Sequence, residues 1–343
     1  MKYSHFFLMA FPLLFIACEN QSTNSIELQE VRMIRGEAQG TTYSIKYTGP
    51  QVVKKNEIDS LLDRIDQSLS AWVENSVLSE FNKSDSILVT DKHFLKVFYR
   101  GKEIHDLTEG AFQPMIMPLV RAWGFGPEGG TLKEGLDLDS IQSLVNFDFE
   151  RLPDEDSDGI LFLKKPGQQL DVNAIAQGYS VDVVSEFLEK KGAENYMVEI
   201  GGEVSAKGKN EKGEYWRIGI DKPSSTPENR TLEAIVTLEN ASLATSGSYR
   251  KFYEKDGRKY SHTIDPDTGE PVNHNLLSAT VLASNCTNAD AFATAFMVMG
   301  LERTKSFLAA HPELDLEVFL IFDDNGTVST FTGEGMKDKL ENL

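Results

Sequence analysis

Residues 41–47 alternate Thr42, Ser44 and Lys46 with Tyr43, Ile45 and Tyr47, the period of two that marks a strand with one buried face. The period then changes. Ile58, Leu61, Leu62, Ile65 and Leu69 recur at helical spacing over 56–69, as do Phe94, Val97, Phe98, Ile104 and Leu107 over 92–107. Each segment is therefore predicted to be a helix that buries one stripe. Gly110 lies just beyond the second, the glycine-rich stretch 124–135 reads as a loop, and 139–145 reads as a short helix. The polar, acidic segment 153–159 is the best internal linker candidate, although it is too short to demand a domain boundary.

Further on, 159–164 and 169–172 read as strands, and 174–191 reads as a helix closed by Gly192. A buried strand at 196–200 runs into Gly201 and Gly202, and the patterns at 215–220 and 232–238 are expected to continue the same sheet. The segment 250–261 turns at Asp256-Gly257 as a hairpin, and 277–283 is another strand. Asn288 is expected to cap a helix that reaches Gly300, with a further helix over 301–310. Segments 316–322 and 327–332 flank Asp323-Asp324-Asn325-Gly326, a strong hairpin signal. Strands and helices mix without a repeating strand–helix–strand unit, which predicts the α+β class. There is no internal repeat or low-complexity tract.

A chain of 343 residues with 40% hydrophobic and 25% charged residues has material for a sizeable core, in one large domain or two average ones. The formal charge of −19 argues against nucleic acid, whose binding draws on Lys and Arg, and against attachment to anionic lipid by charge. A phosphorylated ligand would need a metal ion or a few local donors to offset repulsion.

Lys2 and His5 precede an apolar run, 6–17, of the length of a signal-peptide core and too short to span a bilayer. The run ends Phe15-Ile16-Ala17-Cys18 and gives way to polar residues, so it looks like a bacterial lipoprotein signal in which Cys18 carries the lipid. The plainer alternatives are ordinary secretion and an uncleaved anchor. The expected layout is a signal over 1–17, a flexible tether over 18–30 and one domain over 31–343. Of the two cysteines, Cys286 would then have no disulfide partner.

Four clusters could carry chemistry, and each has a plainer reading. Asp290 and Thr294 stand four apart on a predicted helix, so a carboxylate and a hydroxyl share one face, a set that suits Mg²⁺. The plainer reading places Asp290 in the first helical turn, where negative charge is favoured. His262 opens a Pro/Gly turn that runs to Gly269, which puts a titratable ring at a strand end, or is incidental to that turn. The junction 170–179 enters a helix and could offer N–H groups to phosphate or a carbonyl to a cation, or be an Asn-capped start. Gly201-Gly202-Glu203 allows close backbone approach, or is a tight turn.

Order and spacing turn these separate signals into a resemblance. Gln39-Gly40-Thr41-Thr42-Tyr43 comes first, then Leu69-Ser70-Ala71-Trp72, Ser76 and Ser79-Glu80-Phe81-Asn82. Gly110-Ala111-Phe112-Gln113-Pro114, Pro118-Leu119 and Trp123-Gly124-Phe125-Gly126 follow. After the Asp171–Gly178 junction and Gly201-Gly202 come 244–249, 262–269 and Ala289-Asp290. The set, spanning about 36–335, resembles the ApbE-type FAD:protein FMN transferases.

The resemblance implies an α+β fold with FAD between the two halves of the chain. By motif match, Gln39, Trp72, Ala111, Phe112, Gln113, Asp171, Gln177 and Ile264 would contact FAD. Asp290, Thr294 and the main-chain carbonyl of Ala174 would hold Mg²⁺, and His262 would be the catalytic base. FMN would pass from FAD to a Thr or Ser hydroxyl of an acceptor protein, with release of AMP. A membrane redox subunit is the acceptor the family suggests, and the periplasmic face of the inner membrane the expected location. Gln39 stands where the family often has Met, Gln177 where Lys is common, and Gln113 and Glu203 where Asp is usual. The rival readings are an Mg²⁺-dependent FAD pyrophosphatase that releases FMN and AMP, and a non-catalytic FAD-binding lipoprotein. Cys18→Ser should leave activity intact and release the protein from membranes on fractionation; membrane retention of that variant would contradict the lipid anchor.

Overall fold

The computed structural model describes residues 31–129, 135, 137–154, 158–223, 231–248, 252–255 and 258–342, together with Met1. The signal, the tether, Cys18 and the turn at 256–257 lie outside the described residues.

The chain opens with the antiparallel pair β1 (Arg32–Ala38) and β2 (Thr41–Thr48), followed by α1 (Lys55–Leu69) and α2 (Val77–Lys83). Strand β3 (Ser86–Val89) leads into α3 (Lys92–Leu107), then α4 (Met117–Ala122) and α5 (Leu138–Gln142). The hairpin β4 (Glu150–Asp154) and β5 (Gly159–Leu163) precedes α6 (Ala176–Lys190). Six strands follow: β6 (Asn195–Ile200), β7 (Glu203–Lys207), β8 (Trp216–Asp221), β9 (Leu232–Leu238), β10 (Ala241–Gly247) and β11 (Phe252–Lys255). The last elements are β12 (Arg258–Ser261), β13 (Leu276–Ala283), α7 (Cys286–Ala310), β14 (Glu317–Asp324), β15 (Thr327–Thr332) and β16 (Leu340–Asn342). Mixed helices and antiparallel sheets make this an α+β fold.

The central sheet has eight strands in the order β1-β2-β6-β7-β10-β13-β14-β15, every neighbouring pair antiparallel. It is covered on both faces, and β14 shows why. Val318 and Leu320 enter the core under the helices, while Phe319 and Ile321 enter a second cluster with Trp216, Val236 and Leu238. Successive side chains point to opposite faces of a strand, so a strand apolar at every position needs a layer on each side. Helices α6 and α7 form one layer, and a three-stranded sheet, β16-β9-β8, forms the other. Strands β8 and β9 therefore do not continue the central sheet as their pattern suggested. They cap its opposite face.

Three other expectations change. In the linker candidate 153–159, Pro153 and Asp154 end β4 and Gly159 opens its partner β5, so the described ends belong to one antiparallel pair; 155–157 lie outside the described residues. Segment 169–172 forms no strand, because its main chain is matched by a side chain. Asn82 Oδ1 accepts the Leu170 N–H at 2.6 Å and its Nδ2 donates to the Leu170 carbonyl at 2.9 Å. Helix α7 starts at Cys286 rather than after Asn288, because Asn285 caps it by accepting the Asn288 N–H at 2.9 Å. It continues to Ala310 through a break at Gly300, where φ is 72°.

Helices α6 and α7 meet at their starts. A Cβ on Gly178 would lie 2.3 Å from the Cys286 carbonyl oxygen and 2.8 Å from Asp290 Cβ. Only glycine lets the helices come this close. Gly178→Ala should force them apart and cost about 1–3 kcal/mol of stability, as overpacking of a filled interior does. Urea midpoints measure this, and an unchanged midpoint would contradict the close approach.

Candidate active site

The start of α6 is built from an extended segment that side chains hold in place. Asp171 donates its N–H to the Pro114 carbonyl at 2.7 Å, which ties it to the Ala111–Gln113 segment. Its Oδ1 accepts the Asn173 N–H at 2.8 Å, and burial pushes its carboxyl above the usual range. Ala176 donates to the Val172 carbonyl at 2.8 Å and the helix begins, with Ala174 half-buried in the preceding turn. Asn173 does not cap it. The capping position falls to Ile175, which brings no side-chain acceptor, and the Gly178 N–H is bound from another helix, by Asp290 Oδ2 at 3.0 Å. The first amides of a helix have no partner within it, so an acceptor from elsewhere meets a real need.

Asp290 is the fifth residue of α7, past the first turn, so favourable charge at the helix start does not account for it. It is 6% exposed, and burial pushes its carboxyl up to about 7, opposed by the Gly178 N–H and reinforced by the nearby Asp182. Among the described residues that N–H is the carboxylate's one hydrogen-bond partner. Thr294, one turn further along the same face, has its Oγ1 3.1 Å from Ser246 Oγ on β10. Asp182 on α6 points the other way, accepting the Cys286 and Thr287 N–H groups, each at 2.8 Å, and the Thr287 hydroxyl. Sequence reasoning did not single out Asp182. Its only signal is helical spacing, four residues after Gly178. Ser246 falls within the 244–249 motif, to whose residues the sequence assigned no role.

Of the other expected ligand contacts, Gln39 and Gln177 lie at this junction. Gln39 has a left-handed backbone, φ 55°, and donates from Nε2 to Ser180 Oγ at 2.7 Å, one turn into α6. Gln177 Nε2 donates to the Ile200 carbonyl at 3.1 Å. A Cβ at Gly201 would fall 1.6 Å from that nitrogen, so the bare backbone there admits the amide. Ala111 and Phe112 are buried, as is Ile264, which packs with Leu119 and Trp123; these three can offer a ligand mainly backbone. Gln113 accepts the Met115 N–H at 3.1 Å and reaches the Val145 carbonyl at 3.4 Å. Trp72, on the turn after α1, is 60% exposed.

His262 is half-buried where the chain leaves β12. The loop it opens is pinned: Trp123 Nε1 donates to the Gly269 carbonyl at 2.8 Å and Gln142 Nε2 to the Pro266 carbonyl at 2.9 Å. A cleft of about 420 Å³ lies between His105, Gly110 and Gln113 on one side and Pro266 and Asp267 on the other. Hydrogen bonds therefore bring Gln39, through Ser180, and Asp290, through Gly178, to the first turns of α6, which also carry Gln177; Ala174 lies in the turn before the helix and Thr294 one turn beyond Asp290 on α7. The same network joins Ala111–Gln113 to Asp171 and sets Gln113 across the cleft from the His262 loop. Trp72 alone among the FAD candidates stands on the exposed surface.

Among the described residues no group of three or more His, Cys, Asp or Glu is assembled to hold a metal. The donors at Asp290 suit a different demand. One buried carboxylate, a hydroxyl one turn away and a carbonyl at a helix start are hard oxygen donors, as Mg²⁺ prefers when water and substrate phosphate complete its shell. A buried carboxylate with one amide partner and a like charge nearby is also a group that a cation would relieve. The residues fit the ion.

Comparison with known proteins identifies the family of the chain. The sequence profile described as the ApbE family matches residues 39–320. A protein of Haemophilus influenzae named FAD:protein FMN transferase is 35% identical over 333 residues, covering 94% of this chain and 93% of its own. One of the same name from Vibrio cholerae is 39% identical over 279 residues, covering 79% and 82%. The solved flavin transferase ApbE of Vibrio cholerae superposes with a TM-score of 0.79 at 35% identity, over 91% of this chain and 99% of that one. The chain belongs to the ApbE family.

Proposed function

We propose that this protein transfers FMN from FAD to a Thr or Ser hydroxyl of an acceptor protein, with Mg²⁺ held by Asp290, Thr294 and the Ala174 carbonyl. The observation that carries this reading is the buried Asp290 carboxylate, set against the start of α6 with Thr294 on its own face. Family membership supports the transfer itself, since the relatives bear the name of that reaction.

FAD fits the surroundings of the α6 start: Gln39 and Gln177 at the first turns, Asp171 and the 111–113 backbone before it, and Ile264 in the facing loop. Trp72 offers a flat exposed ring to one of the planar ends of the dinucleotide. The acceptor hydroxyl attacks the phosphorus on the flavin side of the diphosphate. The new P–O bond forms as the bond to the bridging oxygen breaks, so AMP leaves and FMN remains as a phosphoester. The hydroxyl proton passes to the His262 imidazole, a group that can take a proton near neutral pH. Mg²⁺ held by Asp290, Thr294 and the Ala174 carbonyl would supply positive charge against the diphosphate and the leaving AMP. The rest of the task is positioning, which the pinned 262–269 loop supports. The lipid on Cys18 would hold the enzyme at the periplasmic face of the inner membrane, within reach of a membrane redox acceptor.

Incubation with FAD, Mg²⁺ and an acceptor bearing a Thr-containing motif should raise the acceptor mass by one FMN, with AMP released in equal amount. Free FMN with no change in acceptor mass would instead establish hydrolysis. Asp290→Ala should abolish turnover at saturating FAD, with at most partial rescue by excess Mg²⁺, and chelation of the wild type should do the same reversibly. Full activity in either case would remove the ion from Asp290. His262→Ala should lower kcat by about 10²–10⁴, the usual worth of a general base, while FAD binding persists. An unchanged kcat would remove His262 from the reaction.

A further inference from the structure

We propose that Asp182 is the positioning residue of the metal site, acting through the first turn of α7. The proposal rests on the reading of Asp290 as an Mg²⁺ ligand. Asp182 does not touch the expected ligands. Its Oδ1 accepts the Cys286 N–H and its Oδ2 the Thr287 N–H, both at 2.8 Å, and Oδ2 also accepts the Thr287 hydroxyl. Three donors from two consecutive residues converge on one carboxylate, which fixes both the depth and the rotation of the α7 start.

That rotation decides where Asp290 points. Asp290 lies four residues after Cys286, one turn up the same face, as Asp182 lies four residues after Gly178 on α6. Asp290 binds the Gly178 amide on the helix from which Asp182 reaches out. The two carboxylates thus make a closed exchange between helix starts. The missing Cβ at Gly178 lets the Cys286 carbonyl close the gap between them. If Asp182 is removed, the α7 start keeps its Asn285 cap and the Asp290–Gly178 bond yet loses the three other bonds that tie it to α6. Asp290 is then held less firmly relative to the α6 start, and with it the carboxylate and the Thr294 hydroxyl that the proposed site needs in fixed places. Loss of partners that orient metal-binding residues typically costs about 10–100-fold in affinity for the ion or in activity.

The test uses the whole chain with FAD bound and no acceptor. Mn²⁺ is titrated in and the EPR signal of the free ion is followed, for the wild type, Asp182→Asn and Thr287→Ala. The amide of Asp182→Asn would place a donor against the Thr287 N–H, whereas Thr287→Ala removes one of the three bonds. Mn²⁺ binding should weaken about tenfold or more in Asp182→Asn, as expected for loss of an orienting partner, and to a smaller degree in Thr287→Ala. At saturating Mg²⁺, kcat should stay within about twofold of the wild type, because the interaction lost acts on binding rather than on the transition state. Val184→Ala, a cavity in the buried side of the same helix, serves as the control for stability alone and should leave Mn²⁺ binding unchanged. Wild-type Mn²⁺ affinity in Asp182→Asn, or equal weakening in Val184→Ala, would overturn the positioning role while leaving the metal reading intact. A wild type that binds no Mn²⁺ would overturn both.

Discussion

Two helix starts, each bound by a carboxylate from the other, carry the rest of this structure. Asp290 takes the Gly178 amide of α6, and Asp182 takes two amides and a hydroxyl of α7. Free N–H groups at a helix start attract negative charge, so the exchange satisfies donors at both ends while placing two acids close together. Gly178 makes the distance possible. Beneath the pair lies the central sheet, whose β10 and β13 pack against α7 and whose β6 and β7 pack against α6. The second layer, β16-β9-β8, covers the far face, so the strands that carry Ser246 and Ile200 are held from both sides.

The electrostatic consequence is a buried acid left at a disadvantage. Burial, reinforced by the nearby Asp182, pushes the Asp290 carboxyl well above the ordinary carboxylate range, so its ionised form is disfavoured there. No Lys or Arg among the described residues pairs with Asp290, in a chain whose formal charge is −19. Sites that keep such a group commonly use it, and a divalent ion is the partner that removes the penalty. The proposed ion would also answer the question raised by composition alone: how so acidic a protein could hold a diphosphate.

The sequence revealed elements better than their partners. Helices α1 and α3 were legible because their stripes repeat at 3.6 residues, and β2 because its alternation is strict. Strands β7 and β10 went unread, since Glu203–Lys207 and Ala241–Gly247 are rich in small residues with weak strand preference. The start of α7 was misplaced because Asn285 and Asn288 are both good caps, and only the observed hydrogen bond selects one. Segment 169–172 looked like a strand because it is extended, but its partner is the Asn82 side chain, which no periodicity records. At the site, the spacing of Asp290 and Thr294 was visible. That a second acid on α6 holds their helix was not, because such a role exists only once the chain has folded.

The proposed chemistry requires a cation at Asp290 beside the FAD diphosphate. Anomalous diffraction from crystals of the protein with FAD and Mn²⁺ measures this directly. A peak at coordination distance from an Asp290 carboxylate oxygen, about 2.1 Å, with a diphosphate oxygen on its other side is the expected result. FAD bound in the same crystals with the peak elsewhere, or with Asp290 turned away from the diphosphate, would contradict it.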